Sequence, residues 1–277
     1  MSKYPTPIKL FFIVSLLLHC WCINASAETA APEKITVGYF DFPPHTFPKD
    51  SMQPSAALAY FDKIAQEMGV AVEYKHYPLS RLVFLLDHQR LDAALFLAKT
   101  EARTTIFSYP STPYFTTNSV FVVPSASNLK SAQDIERESQ LQLVVWEGGF
   151  HSPTLTASKN TLVPLGGNDV AARGIQLVVN GRFDAFFSPD SHAIEYEARA
   201  SGQTGNIRIL PIPGEDIDIY SVFSKKSAKP YLKRYEKALK KVTTEISYGT
   251  FLKNFQKNLS PTPAYAPSTS SESSVTQ

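Results

Sequence analysis

Between Lys34 and Leu97 short apolar or β-branched runs alternate with amphipathic segments, and this alternation admits few folds. Lys34 to Tyr39, K-I-T-V-G-Y, reads as a strand. Ser55 opens a helix with Ala57, Tyr60, Phe61, Ile64, Ala65 and Met68 on one face and Gly69 as its stop. Val70 to Tyr74 is the next strand, Ser80 caps a second helix with Leu82, Leu85 and Leu86 inward, and Leu91 to Leu97 is apolar enough for a strand covered on both faces. Strand, helix, strand, helix, strand predicts an α/β fold with a mostly parallel sheet. The loop F-D-F-P-P-H-T-F after the first strand cannot extend it, because Pro43 and Pro44 lack ladder donors.

After a strand from Tyr114 to Val123 and a short surface helix over Gln133 to Ser139, the pattern restarts. Leu141 to Trp146 is a strand, E-G-G-F-H-S-P a glycine-bearing loop, Thr161 to Leu165 a strand and Asn168 to Val179 a helix. It ends in Gly181-Arg182-Phe183-Asp184-Ala185, which parallels Gln89-Arg90-Leu91-Asp92-Ala93 and reads as an internal repeat, one copy per lobe. Asp190 to Ala200 suits a helix, Ile207 to Leu210 a strand, and Ile217 to Phe223 a strand returning to the first lobe. The lobes are then 28–118 with 216–259, and 119–215, joined by crossings near 115–122 and 212–220. A last helix spans Ala228 to Ile246, a short one surrounds Phe251, and residues 260–277, rich in Pro, Ser and Thr, are expected to be disordered.

The first residues read as a targeting segment: Lys3 and Lys9, an apolar run from Leu10 to Leu18, and Ala25-Ser26-Ala27 as the cleavage site, predicting a cut after Ala27 and a periplasmic chain. A lipid on Cys20 is the alternative, disfavoured by His19 before it. Both cysteines, Cys20 and Cys22, precede the cut, so no disulfide is expected afterwards. Removing Lys3 and Lys9 takes Lys+Arg from 27 to 25 against 25 Asp+Glu, a formal charge of zero that leaves no footprint for nucleic acid. No later segment reaches the length of a membrane span, so the protein is not expected to be membrane-embedded.

Open α/β sheets bind ligands beyond the carboxyl ends of their strands, and Thr100-Glu101-Ala102-Arg103 follows such an end. Arg103 offers a planar fork suited to a carboxylate. Phe42 and His45 in the proline loop, Arg81 at a helix start, Trp146 to His151 at another strand end, and Asp190 are further candidates, while Asp92 and Asp184 begin strands away from the crevice and read as structural. The histidines His45, His76, His88, His151 and His192 show no metal-ligand spacing, and no nucleophile elbow or phosphate loop occurs. No cofactor or metal is expected.

The ordered set I-T-V-G-Y-F-D-F-P-P-H, M-G-V, Q-R-L-D-A, T-E-A-R, Y-P-S-T-P-Y, W-E-G-G, G-R-F-D-A and S-Y-G-T-F resembles the family 3 periplasmic solute-binding proteins of the polar amino acid ABC-transporter type, from about Ile35 to Phe255. The resemblance implies a two-lobed periplasmic binding protein fold of type II that closes over a small polar, carboxylate-bearing ligand for ABC-type uptake, as a monomer with a membrane permease partner. By its pattern Phe42 covers the ligand, backbone groups of Leu97, Ala98 and Thr100 line it, Arg103 grips a carboxylate, Gly148 and Gly149 take its other side, and Tyr114 begins a crossing. The chain departs from the pattern where an aspartate usually meets an α-ammonium, which here is Ser188 with Asp190 two residues later. Phe150 replaces a small hydroxyl residue, and Ala59 an acidic one. Tyr77-Pro78-Leu79-Ser80-Arg81 is similar to a divergent branch of the family. Two other functions stay open on this scaffold: an enzyme like the cyclohexadienyl or arogenate dehydratases, using His45, His151 or Asp190, and a ligand-sensing module with a sensor partner.

Overall fold

The structure, a computed structural model, describes residues 33–258; the expected export segment and the expected disordered tail lie outside the described residues. In the first half, β1 (Lys34–Tyr39), α1 (Ala56–Met68), β2 (Ala71–His76), α2 (Leu79–Asp87) and β3 (Ala93–Ala98) follow in order. β1 lies between β2 and β3 and is parallel to both. Next come α3 (Glu101–Ile106), β4 (Phe107–Ser108), β5 (Phe115–Pro124) and α4 (Ala132–Arg137). The second half repeats the plan with β6 (Gln142–Trp146), α5 (Pro153–Ala157), β7 (Thr161–Leu165), α6 (Val170–Val179) and β8 (Ala185–Ser188), and β6 is parallel to β7 and β8 on its two sides. α7 (Ser191–Ala200), β9 (Ile207–Ser224), α8 (Lys225–Glu245) and α9 (Tyr248–Asn258) complete the described chain.

The strand order β2-β1-β3-β9-β5-β8-β6-β7 therefore contains one motif twice, each copy three parallel strands ending on an antiparallel neighbour. β5 and β9 pair antiparallel and carry the chain between the lobes. The two five-residue passages do the same work in each. Asp92 accepts the Thr36 amide at 2.8 Å, and Asp184 accepts the Gln142 amide at 2.7 Å, each fixing the start of its lobe's central strand. That is the structural role their position predicts.

Strand alternation decides which way the second lobe's side chains face. Phe121, Val123, Leu143, Val145 and Phe187 fill one cluster, while Val120, Val122, Val144 and Phe186 join the larger one that runs into the first lobe. A sheet covered on both faces needs such continuous apolar runs. In α1 the expected face is buried, with Tyr60, Phe61 and Ile64 fully enclosed, each worth roughly 1.5–3 kcal/mol. Gly69 ends the helix in the left-handed conformation that glycine adopts freely.

Several local expectations change. Pro78, not Ser80, caps α2, because its extended backbone presents its carbonyl to the Leu82 amide. Ser80 instead donates to Glu147 at 3.2 Å across the lobes. The two strands expected over 207–223 are one, β9, with residues 212–215 standing opposite Ser119 alone; a bulge there accommodates Pro213 and Gly214. The loops after β3 and β6 contain short helices, α3 and α5, capped by the side chains of Thr100 and Ser152. No helix among the described residues is long and apolar enough to cross a membrane.

Candidate functional site

The carboxyl ends of the parallel strands in both lobes meet across one cleft. Phe40 and Phe42 follow β1, Phe96, Leu97 and Ala98 end β3, Trp146 ends β6, Gly149 and Phe150 follow it, and Pro189 follows β8; with Leu79, Arg103 and Ile219 they line a cavity of about 30 Å³. As the rings stand, this holds little more than water. The lobes are closed.

Phe96 reaches the cleft through a bulge in β3, where pairing with β9 slips between Ala94 and Leu97 and Phe96 adopts a φ of 67°. A non-glycine residue in that region stores strain, which concentrates at functional sites. The bulge sets the Phe96 ring edge-on to His45, Tyr114 and Phe115, with centroids 5.2–5.5 Å apart.

Arg103 sits in the first turns of α3, behind the Thr100 cap. Its guanidinium donates to the Ala98 carbonyl at 3.0 Å and to the Gly148 carbonyl of the other lobe at 2.7 Å. Burial lowers its pKa, with Tyr109 opposing. Among the described residues no carboxylate pairs with it. Gly148 is required where it lies: its φ is 69°, and a Cβ there would come within 3.1 Å of the Ser80 Cα in the facing lobe.

Beside the cavity is a second link between the lobes. His45 Nε2 lies 2.8 Å from Asp190 Oδ2, and His45 Nδ1 lies 2.8 Å from the Tyr248 hydroxyl. Asp190 also accepts from Thr117 Oγ1 at 2.6 Å and from the His192 amide at 3.0 Å. Burial alone would raise the Asp190 pKa, but the bonds from His192, His45 and Thr117 outweigh it and hold the carboxyl well below its ordinary range. An ionised Asp190 can only accept, so the Nε2 proton of His45 points to it, and Tyr248, held protonated by burial, bonds the other ring nitrogen.

Of the residues that the sequence marked, Phe42, Leu97, Ala98, Arg103, Gly149 and Phe150 line the cavity. Gly148 meets Arg103, and Thr100 caps its helix. His45 and Asp190 form the buried pair beside the cavity, with Ser188 bonded to Asp190. Tyr114 donates to the Ala57 carbonyl at 2.9 Å within the core. Arg81 is exposed, its guanidinium 5.1 Å from the Phe84 ring centre, and His151 is mostly exposed, its pKa lowered by partial desolvation of the ring and by the Arg103 charge. Phe96, Pro189 and Ile219 line the cavity without a motif to announce them, since an apolar residue at a strand end reads as core, and Phe40 lines it from within the proline loop's motif.

Two α/β lobes exchanged through β5 and β9, with the site between them, define a ligand-enclosing binding protein fold. The chain belongs to the bacterial extracellular solute-binding proteins, family 3, whose family model matches residues 35–258. Solved structures share the fold. The substrate-binding protein of an amino acid ABC transporter has a TM-score of 0.66 at 21% identity, covering 81% of this chain and 99% of its own. The GluR0 ligand-binding core from Nostoc punctiforme in complex with L-glutamate has 0.67 at 15%, covering 80% and 98%. The ancestral amino-acid-binding protein AncCDT-1, a precursor of cyclohexadienyl dehydratase, has 0.65 at 20%, covering 80% and 94%. No curated protein matches the chain in sequence.

Proposed function

We propose that this is an exported periplasmic solute-binding protein, cut after Ala27, that captures a small carboxylate-bearing solute by closing its lobes and delivers it to an ABC permease. The observation that carries the reading is Arg103: a cation at the cavity, bonded to a carbonyl from each lobe and paired with no carboxylate among the described residues. An anion touching that fork and the Gly148–Gly149 loop contacts both lobes, and a ligand that contacts both favours the closed state by its differential affinity. The moving bodies are then 33–118 with 216–258 against 119–215, turning about β5 and β9.

The fold's likeness to a dehydratase precursor raises the question of catalysis, which needs a proton-transfer group within reach of the substrate. None of His45, His151 and Asp190 lines the cavity, and both ring nitrogens of His45 are occupied. Binding without turnover is therefore the reading that we adopt. A thermal-shift screen of amino acids, small organic acids and polyamines tests it, because a ligand stabilises by mass action. A carboxylate should raise the melting temperature and persist unchanged by NMR for hours. Conversion of the hit would replace binding by catalysis, and a response to polyamines alone would end the carboxylate reading.

A further inference from the structure

We propose that the solute is a monocarboxylate with an apolar body and no ammonium group. This rests on the carboxylate-binding reading and narrows it.

The cavity offers donors and no acceptor of charge. Arg103 supplies a fork, and the Trp146 indole Nε1, in a side chain that lines the cavity, is buried with no acceptor among the described residues. A buried donor without a partner costs free energy that an oxygen-bearing ligand recovers. No lining residue is acidic. Two acids are buried beside the cavity and neither lines it: Asp41, between Phe40 and Phe42, bonds His76 through one oxygen at 2.6 Å, and Asp190 is committed to His45, Thr117 and the His192 amide, with the Ser188 hydroxyl turned to the Asp190 backbone. An ammonium brought here would be desolvated with no carboxylate in the cavity wall to receive it. Ring faces attract cations, but the guanidinium in the same small space opposes a second positive charge. The walls from Phe40, Phe42, Phe96 and Phe150 suit a planar or branched hydrocarbon.

Calorimetry on the purified wild-type protein reads this preference directly, with phenylacetate, 3-phenylpropionate and 4-methyl-2-oxopentanoate set against phenylalanine, leucine and phenethylamine. The acids are expected to bind at least about tenfold more tightly than the amino acids that share their side chains. Trp146→Phe keeps the ring and removes the donor; it is expected to weaken the acids about tenfold with an unchanged circular dichroism spectrum. Phenylalanine or leucine binding as tightly as its deaminated counterpart overturns the inference and leaves a carboxylate-binding protein standing. Phenethylamine binding while every acid is silent overturns both, and a panel that is silent throughout overturns the inference.

Discussion

His45 and Asp190 meet at 2.8 Å with both side chains almost wholly buried, joining the loop after β1 to the cap of α7 and so one lobe to the other. His45→Ala leaves Asp190 charged in a dry place with one bond fewer. Losing a buried hydrogen bond to a charged group typically costs about 1.5–3 kcal/mol, and the surviving bonds from Thr117 and His192 hold the loss within that range. Urea unfolding at neutral pH measures it. The acid limb has a defined sign. Because the folded Asp190 pKa lies below its unfolded value, its stabilisation is complete above about pH 4 and is lost as pH falls through the folded value.

Glu197 on α7 works in the opposite sense. Burial first, then the charges of Asp169 and Asp41, push its pKa up to about 7 from an ordinary 4.5. The folded protein holds this proton more tightly than the unfolded chain, so stability falls as pH rises from about 4.5 to 7 and stays lower above. Glu197→Gln removes that loss. Urea midpoints at pH 5 and pH 8 should differ less in the variant, which should be more stable at pH 8 by on the order of 2 kcal/mol.

Arg103→Lys tests the cleft without removing its charge. A lysine ammonium cannot span the Ala98 and Gly148 carbonyls and also present a flat fork to a carboxylate. Affinity for a carboxylate found in the screen should fall by about 2 kcal/mol, roughly thirtyfold, with the melting temperature of the empty protein moving by only a few degrees. Titration calorimetry checks the first figure, and an unchanged affinity would remove Arg103 from the site.

Gly174 tests how α6 packs on its sheet. A Cβ there would stand 2.6–2.8 Å from three ring atoms of Phe186, which is fully buried and cannot yield. Alanine favours a helix by about 1 kcal/mol over glycine, and overpacking costs about 1–3 kcal/mol. The clash should win. Gly174→Ala is expected to lower the urea midpoint, and a rise would mean that β8 shifts to make room.

These residues show what the sequence could and could not carry. The α/β alternation, the repeat and Arg103 were legible because each rests on local pattern: period, turn chemistry, a charged residue just past a strand. The partners were not. Glu147 reaching Ser80 and Gly148 accepting from Arg103 depend on lobe closure, which sets residues 67 and 45 positions apart into contact, and Tyr248 meets His45, 203 positions away, because α9 packs back against α1 within the first lobe. Phe96 was hidden for another reason. Nothing in A-A-L-F-L-A marks the bulge that turns its ring into the cleft.

The repeat itself supplies a last prediction. At the end of α2 the amides of Gln89 and Arg90 return to the carbonyls of Leu86 and Leu85, and at the end of α6 those of Gly181 and Arg182 return to Val178 and Leu177. The two helix ends are the same motif. Its left-handed residue has a φ of 65° at Gly181 and 56° at Gln89, where a side chain must be tolerated in a conformation that costs an L residue about 1–2 kcal/mol. Gln89→Gly relieves that strain and gives back part of it as unfolded-chain entropy, for a net gain of about 0.5–1 kcal/mol. Gly181→Gln should lose about 1 kcal/mol at the equivalent point. Opposite shifts of the two urea midpoints would establish that the lobes share this turn in energy as well as in form, and shifts of one sign would show that the neighbours of each turn, not its backbone, decide its stability.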